Sequence, residues 1–256
     1  ALPQEQEEYF CQMCAHETNR TVQMHLVKML FHFGAARAQE EAERLWECGA
    51  WGEVITVISE EGNNADRERW IARTLEKMPV LCGEPLRNAC GIIGMVVEED
   101  RRASRAPRVC ANSLRAVLLR EDLDRNERIM LFYCMSHMEG KEEVLDYFQT
   151  YLPAEEDINV LNSAVQAMGD VRDPRMLKMR VMLLDKYRNY DNAVAEFQGS
   201  QRNCAARYIG AHRQEGQLVG LLLEQLDLFG LDYPDAWMLL MDNARWETWK
   251  REHCQS

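Results

Sequence analysis

Apolar residues recur at helical spacing along much of the chain. One stretch carries them at i, i+1, i+4, i+5, i+8 and i+11: Leu218, Val219, Leu222, Leu223, Leu226 and Phe229. Similar faces are formed by Val144, Leu145, Phe148, Tyr151 and Leu152, and by Val54, Ile55 and Ile58. This spacing places apolar side chains on one side of an α-helix. No segment alternates convincingly with period two, so the pattern predicts an all-α protein without a sheet.

Glycines and prolines divide this pattern at short intervals. The glycines predicted to end helices or form turns are Gly34, Gly49, Gly62, Gly83, Gly140, Gly169, Gly216 and Gly230. The prolines predicted to lie in first helical turns are Pro85, Pro107, Pro153, Pro174 and Pro234. Asp173 and Asp124 are predicted N-caps, the latter in a capping box with Glu127. We expect about fifteen short helices joined by turns of a few residues.

A repeated pattern indicates how such helices are arranged. Residues 69–78, "RWIARTLEKM", and residues 108–117, "RVCANSLRAV", share arginine, alanine, leucine and apolar positions at an offset of 39 residues. That offset is typical of helix-pair repeats, whose pairs bury their apolar faces against neighbouring pairs. We therefore expect one helical-repeat domain over residues 1–256, an α-solenoid of stacked antiparallel helix pairs.

The second half of the chain resembles pentatricopeptide repeats. The resemblance is carried by "YIGAHRQEGQLVGLLLEQLDLFGLDYPD" at 208–235 and "GKEEVLDYFQTYLPAEEDINVLNSAVQA" at 140–167, and it covers roughly residues 128–245. Pentatricopeptide proteins read single-stranded RNA, one base per repeat, through polar side chains of the first helix. The resemblance puts Asn162 at a base-reading position. The next such position lies near Ala206, whose side chain cannot hydrogen-bond to a base.

Two other families resemble parts of the same chain. Residues 47–78 are similar to an armadillo unit, with Ala72 and Leu75 turned inward, so a change of repeat type near residue 125 is a second interpretation. The chain would then be armadillo-like over 1–125 and pentatricopeptide-like over 126–256. Residues 141–185 are also similar to the HEAT-like C-terminal domain of zinc aminopeptidases, which would make this chain a non-catalytic tail piece.

Composition narrows the class of partner and the compartment. The chain has 42 acidic and 30 basic residues and a formal net charge of -12, which disfavours generic binding to a phosphate backbone. Nine cysteines lie scattered, without the regular framework of secreted domains, which favours a reducing intracellular compartment. Since no apolar run is long enough to span a bilayer, we expect no membrane span. The pentatricopeptide resemblance favours the mitochondrion over the cytoplasm.

One short motif could bind a metal ion. In "CQMCAH", the side chains of Cys11, Cys14 and His16 are three potential zinc ligands. A closed zinc site needs a fourth ligand, and no second pair with suitable spacing follows. Cys11 and Cys14 would also share one helical face as small buried residues. We therefore expect no metal and no cofactor.

A local excess of arginine is a candidate contact for a partner. In an otherwise acidic chain, one segment begins with four closely spaced arginines and continues with further ones: Arg101, Arg102, Arg105 and Arg108. Guanidinium groups bind carboxylate and phosphate partners well. The alternative is that these side chains pair with nearby acidic residues. Within this patch "RRAS", ending at Ser104, resembles an acceptor site for a basophilic protein kinase.

The C-terminal helix is a second candidate contact. Trp246 and Trp249 lie three residues apart and share one helical face. This face differs from the apolar stripe that begins at Trp237. Exposed tryptophans at the end of a repeat array would form a docking surface. The alternative is that they fold back on the preceding helices.

These observations favour a binding protein over an enzyme. No phosphate-binding glycine loop, nucleophile elbow or zinc-protease motif is found in the sequence. We predict a non-catalytic scaffold that binds other protein subunits of a larger, organellar assembly. The alternative is an organellar pentatricopeptide-type protein that binds single-stranded RNA.

Overall fold

The computed structural model describes residues 3–188 and 213–254. Within these ranges the chain forms fourteen α-helices and no β-strand, which confirms the all-α prediction. None of the helices in the described ranges is both long and apolar enough to cross a lipid bilayer.

The helices are short and follow one another closely. The first six are α1 (Gln4–His16), α2 (Arg20–His32), α3 (Ala38–Glu47), α4 (Trp51–Glu60), α5 (Asn64–Lys77) and α6 (Gly83–Arg102). The next five are α7 (Arg115–Leu118), α8 (Arg125–Met135), α9 (Leu145–Ala154), α10 (Ile158–Ala167) and α11 (Pro174–Tyr187). The last three are α12 (Arg213–Gln225), α13 (Tyr233–Met241) and α14 (Asn243–His253). Short 3-10 turns cover Met78–Val80, Ala111–Leu114, Lys141–Val144 and Leu226–Phe229.

Both predicted N-caps are present. The Asp124 carboxylate accepts the Glu127 backbone N–H at 2.8 Å, and the Glu127 carboxylate accepts the Asp124 N–H at 2.7 Å, which is a complete capping box. The Asp173 carboxylate accepts the backbone N–H of Arg175 at 2.8 Å. These contacts satisfy N–H groups that the first turn of a helix leaves without a partner.

Three of the predicted helix boundaries are wrong. Gly216 lies inside α12, where its missing side chain lowers helix propensity but does not end the helix. Pro153 lies at the other end of its helix from the predicted position, in the last turn of α9. That helix ends one residue later, so the proline lies where the helix stops instead of where it starts. Pro107 lies in a segment without helical structure.

The helices form two compact units: Ala1–Val109 with Ala116–Cys134, and Cys110–Arg115 with Met135–Ser256. In the first unit, each of the pairs α1 and α2, α3 and α4, α5 and α6 is packed together. The second members of the pairs also contact one another in order, α2 on α4 and α4 on α6. Each pair thus lies against the next.

Side chains make the corresponding contacts between first members of the pairs. An Arg44 guanidinium nitrogen on α3 lies 3.0 Å from the Cys14 sulfur on α1. From α5, the Trp70 indole N–H donates to the Gln39 side chain of α3 at 2.8 Å, and its ring lies 5.3 Å from that of Trp46. Trp70 is buried, so these contacts lie in the core of the unit.

The inward face of the helix in the armadillo-like segment is rotated from the predicted one. Ala72 is exposed and Leu75 is half-buried, whereas Trp70, Ile71 and Thr74 are buried on α5. The large indole of Trp70 sets this rotation, because burying it removes far more apolar surface from water than burying an alanine does.

The structure does not support the repeat at an offset of 39 residues. Residues 69–78 fall almost entirely within α5. Residues 108–117 instead comprise a non-helical segment, a 3-10 turn and the beginning of α7. The shared residue types therefore occupy different structures, and the pattern match does not mark a repeat.

The second unit packs its helices in a similar way, as α9 contacts α11, α10 contacts α12, and α13 contacts both α12 and α14. The predicted apolar faces are buried at Leu218, Val219, Leu222, Leu223 and Leu226 and at Val144, Leu145, Phe148 and Leu152. These burials confirm the helical period inferred from the sequence.

A buried arginine connects three parts of this unit. The Arg180 guanidinium, on α11, donates to the carbonyl oxygens of Met168 at 2.9 Å and Val171 at 3.2 Å. It also donates to the Gln225 side-chain oxygen on α12 at 2.8 Å. Burial lowers the pKa of Arg180 to about 10, so it remains cationic at neutral pH. Arg180 thus fixes the turn between α10 and α11 against α12.

Candidate protein-binding surfaces

The two cysteines of the N-terminal motif lie on the buried face of α1. Burial raises the pKa of Cys14 to about 11, and it also raises the pKa of Cys11, so both thiols are protonated at neutral pH. His16 ends the same helix and is exposed. In the described part of the chain no three His, Cys, Asp or Glu side chains are grouped so that they could hold a metal ion.

The four candidate arginines lie together at the end of α6 and pair with acidic residues of their own unit. Arg101 and Arg102 both donate to the Glu98 carboxylate at 2.9 Å. Arg105 donates to Glu68 at 3.2 Å, and Arg108 lies 3.0 Å from the same carboxylate. In the structure these four arginines therefore pair with acidic residues of the protein itself, which is the alternative stated above.

The strongest pair of the cluster is formed by Arg108 and Asp100. Two nitrogens of the Arg108 guanidinium donate to the Asp100 carboxylate, at 2.6 Å and 2.9 Å, and the Arg108 backbone N–H donates to it at 3.1 Å. The side chain of Asp100 is only 3 % exposed. Hydrogen bonds from Arg108 lower the pKa of Asp100. This pair holds the segment that follows α6 against α6 itself.

The C-terminal tryptophans do not form a wholly exposed pair. Trp246 is fully buried, and its indole N–H donates to Asp185 on α11 at 2.7 Å. Trp249 is half-buried, and its ring stacks between Trp246 at 5.4 Å and His253 at 4.7 Å. Trp246 is thus folded back on the preceding helices, while Trp249 and the exposed His253 remain accessible in part.

Asn162 is engaged by its own unit. Its side-chain amide nitrogen donates to the backbone carbonyl of Gln214, on α12, at 3.1 Å. A base-reading asparagine needs its amide free to meet a base edge. The next candidate position, Ala206, lies outside the described residues.

Helices α1 and α2, which pack together, each carry exposed apolar side chains. On α1, Tyr9 is 62 % exposed and Met13 is 39 % exposed, and the two lie one helical turn apart. On α2, Val22 and Met29 are each 39 % exposed and Phe33, at its end, is 45 % exposed. The α2 residues lie at i, i+7 and i+11, which is one helical stripe beside the buried Leu26 and Leu30. We call these five residues the α1–α2 surface.

The neighbouring helices explain why the α1 stripe is uncovered. Helix α3 contacts α1 through Arg44 at Cys14 and through the Arg37 backbone N–H, which donates to Glu7 at 2.7 Å. Tyr9 follows Glu7 by two residues, which turns it to the far side of the helix from α3. Tyr9 thus points away from α3.

The α2 residues of the α1–α2 surface lie in the longest acid-free segment of an acidic chain, whereas Tyr9 on α1 closely follows Glu5, Glu7 and Glu8. No aspartate or glutamate occurs between Glu17 and Glu40, whereas this interval contains three lysine or arginine residues, Arg20, Lys28 and Arg37, together with His25 and His32. Lys28 and His32 contact Glu60 and Glu61 near the end of α4. The exposed part of α2 is therefore apolar, with Arg20 and His25 exposed beside it.

The α1–α2 surface was not predicted from the sequence. Residues 22–33 contain eight apolar side chains, which is more than one face of an isolated helix can bury: Val22, Met24, Leu26, Val27, Met29, Leu30, Phe31 and Phe33. This excess of apolar residues, together with the absence of acidic residues from 18 to 39, is the feature of the sequence from which the surface could have been predicted.

Comparison with known proteins does not assign a family. No protein-family model matches the chain. No curated protein matches it significantly. No solved structure does so either.

Proposed function

We propose that this protein is a non-catalytic helical-repeat scaffold that binds another protein through the α1–α2 surface. In this proposal the packed helix pairs of the first unit form a short solenoid, and α1 and α2 are one of its pairs. The exposed apolar stripes on α1 and α2 carry the proposal, since such surfaces commonly mark binding sites.

The proposed occupant is an amphipathic helix of a partner protein with acidic residues beside its apolar stripe. The apolar stripes of α1 and α2 resemble the faces that adjacent pairs of this unit bury against each other, so a helix is the fitting shape. The α2 part of the surface has no acidic residue of its own and has the exposed Arg20 at its margin, which favours acidic residues on the side of the partner helix that meets α2. A basic partner helix would meet like charges there.

RNA binding is the less favoured function. The side-chain amide of Asn162 is hydrogen-bonded within the protein, and the formal net charge of -12 opposes a phosphate backbone. We propose that the protein is a subunit of a multiprotein assembly. The resemblance to pentatricopeptide proteins favours a mitochondrial location for this assembly.

Affinity purification with matched variants tests the proposal. The tagged chain, a Met29→Glu/Phe33→Glu variant and a Met238→Glu/Met241→Glu control are each expressed in the source cells and purified in low salt. Met238 and Met241 are 62 % and 56 % exposed on α13, so the control adds the same charges on another exposed apolar helix. Circular dichroism checks that all three chains are folded.

The expected result is one protein recovered at a fixed ratio with the wild type and the control but lost from the α2 variant. Its isolated amphipathic helix should then bind the purified wild-type chain, more weakly as salt increases. Equal recovery by all three chains would contradict the proposal. So would a monomeric chain that recovers RNA instead, or a surface occupied by a second copy of this chain.

A further inference from the structure

We propose that Ser104 is a phosphorylation site for a basophilic protein kinase, accessible in the folded protein. This inference concerns the end of α6 and does not depend on the α1–α2 surface. It follows from the conformation of Ser104, the exposure of its surroundings and the arginines immediately before it.

Ser104 occupies a helix-ending position that glycine usually takes. Its N–H donates to the Arg101 carbonyl at 3.2 Å, and the Arg105 N–H donates to the Asp100 carbonyl at 2.9 Å. These two bonds form a Schellman motif, in which the residue after the C-cap is left-handed. Ser104 has φ of 50°, and it is the one residue other than glycine with positive φ in the described part of the chain.

A serine at this position keeps its hydroxyl at a conformational cost. The left-handed region brings Cβ close to the backbone, a strain that glycine avoids. The protein uses glycine at the left-handed ends of other helices, including Gly34 and Gly230. A strained residue that the fold does not require points to a role for its side chain.

The surroundings of Ser104 suit recognition by an enzyme. Every residue from 101 to 108 is exposed. Arg101 and Arg102, at the third and second positions before the serine, have side chains 62 % and 72 % exposed. Their shared pair with Glu98 is at the surface, where ion pairs are weak, so carboxylates of a kinase can replace Glu98. Local opening of the last turn would present the segment in extended form.

The reaction is a phosphoryl transfer with ATP as the co-reactant. The Ser104 oxygen forms a bond to the γ-phosphorus, and the bond between that phosphorus and the β–γ bridging oxygen breaks. ADP leaves, and the hydroxyl proton passes to the catalytic aspartate of the kinase. The new phosphate carries between one and two negative charges at neutral pH and can compete with Glu98 for Arg101.

Phosphorylation of the folded chain by a purified kinase that prefers arginine before the acceptor tests this inference. The variants are Ser104→Gly, which relieves the backbone strain, and Arg101→Gln/Arg102→Gln. Ser113→Ala is the matched control, since Ser113 is also exposed but lacks arginine at the third and second positions before it. Intact-mass and peptide spectrometry measure the phosphate and its position.

We expect one phosphate per wild-type chain, on Ser104, and the same for Ser113→Ala. Ser104→Gly should accept none, and loss of both arginines should lower kcat/KM about tenfold, as expected for losing charged hydrogen bonds to the kinase. The proposal is overturned if the folded wild type accepts no phosphate, or if Ser104→Gly accepts as much as the wild type. An unchanged kcat/KM for the arginine variant would also overturn it.

Discussion

Trp246 and Asp185 join the last helix to α11: the buried indole N–H of Trp246 donates to the Asp185 carboxylate at 2.7 Å. The same carboxylate accepts from Lys250, one turn later on α14, at 2.8 Å. A single acidic side chain thus receives two donors from the C-terminal helix. The helix is held by a buried aromatic ring and a charged contact at its edge.

Replacing Trp246 with alanine should therefore destabilise the protein. We expect Trp246→Ala to lower the free energy of unfolding by about 3 to 5 kcal/mol, as large aromatic truncations in cores do. Trp249→Ala is the control, with a smaller loss because that ring is half-buried. Urea unfolding followed by circular dichroism measures both. Similar small losses for the two variants would show that Trp246 is not buried in solution.

The pair of Asp100 and Arg108 should make stability depend on pH. Hydrogen bonds from Arg108 hold the pKa of Asp100 below its usual value in the folded state. A carboxylate with a lowered folded pKa stabilises the fold above its unfolded pKa, and this contribution is lost as pH falls through the folded value. The stability difference between wild type and Asp100→Asn should therefore be largest above the ordinary aspartate pKa of about 3.9 and shrink as the pH falls below that value.

Urea midpoints at several pH values measure that difference. Glu76→Gln is the control, because Glu76 is paired with Lys77 at the surface and contributes little. A difference for Asp100→Asn that stays constant down to the lowest pH would show that its carboxylate is not held by Arg108 in the folded state.

The strained serine predicts a stabilising substitution. Ser104→Gly should raise the free energy of unfolding by about 1 kcal/mol, since glycine adopts the left-handed conformation without strain. Ser104→Ala should bring no such gain, because alanine has the same Cβ. Thermal unfolding of the three proteins distinguishes the cases. Equal stability of glycine and alanine variants would mean that residue 104 is not left-handed in solution.

Cysteine labelling checks the environment of the N-terminal motif. In the folded chain, iodoacetamide at about pH 8 should modify the exposed Cys48 and Cys82 well before Cys14 and Cys90. Burial raises the pKa of Cys14 to about 11 and that of Cys90 to about 12, and it also restricts access. Peptide mass spectrometry gives the rates.

A chelator added before labelling should leave this order unchanged. If Cys11 and Cys14 became reactive only after metal removal, a metal ion on "CQMCAH" would explain their protection instead of burial. Modification of Cys14 as fast as Cys48 would contradict the buried position of α1.

Local sequence signals predicted most helices, their N-caps and the buried faces of α9 and α12, but not the buried face of α5. Asp124 and Asp173 mark helix starts because capping depends on neighbouring residues alone. The inward face of α5 depends on Trp70, whose ring meets Trp46 of α3, a contact that no local pattern contains. The match between residues 69–78 and 108–117 failed because the shared residue types lie in a helix in the first stretch and in a largely non-helical segment in the second.

The candidate sites show the same limit. The sequence identified Arg105 and Arg108 as a charged cluster, but their acceptor Glu68 lies on α5, far away in the chain. It identified Trp246 without the carboxylate of Asp185 that holds it. It missed Tyr9 and Phe33 because exposure of an apolar residue depends on which neighbouring helices are present.

Photocrosslinking from the α1–α2 surface tests the central claim most directly. Phe33 is replaced by the photoreactive residue p-benzoylphenylalanine, the chain is irradiated in native extract, and the crosslinked peptide is identified by mass spectrometry. The same replacement at Met238 is the control. We expect Phe33 to crosslink to one protein, within an acidic amphipathic helix. A chain that forms no crosslink from Phe33, or the same scattered products from both positions, would contradict the assignment of this surface as a protein-binding site.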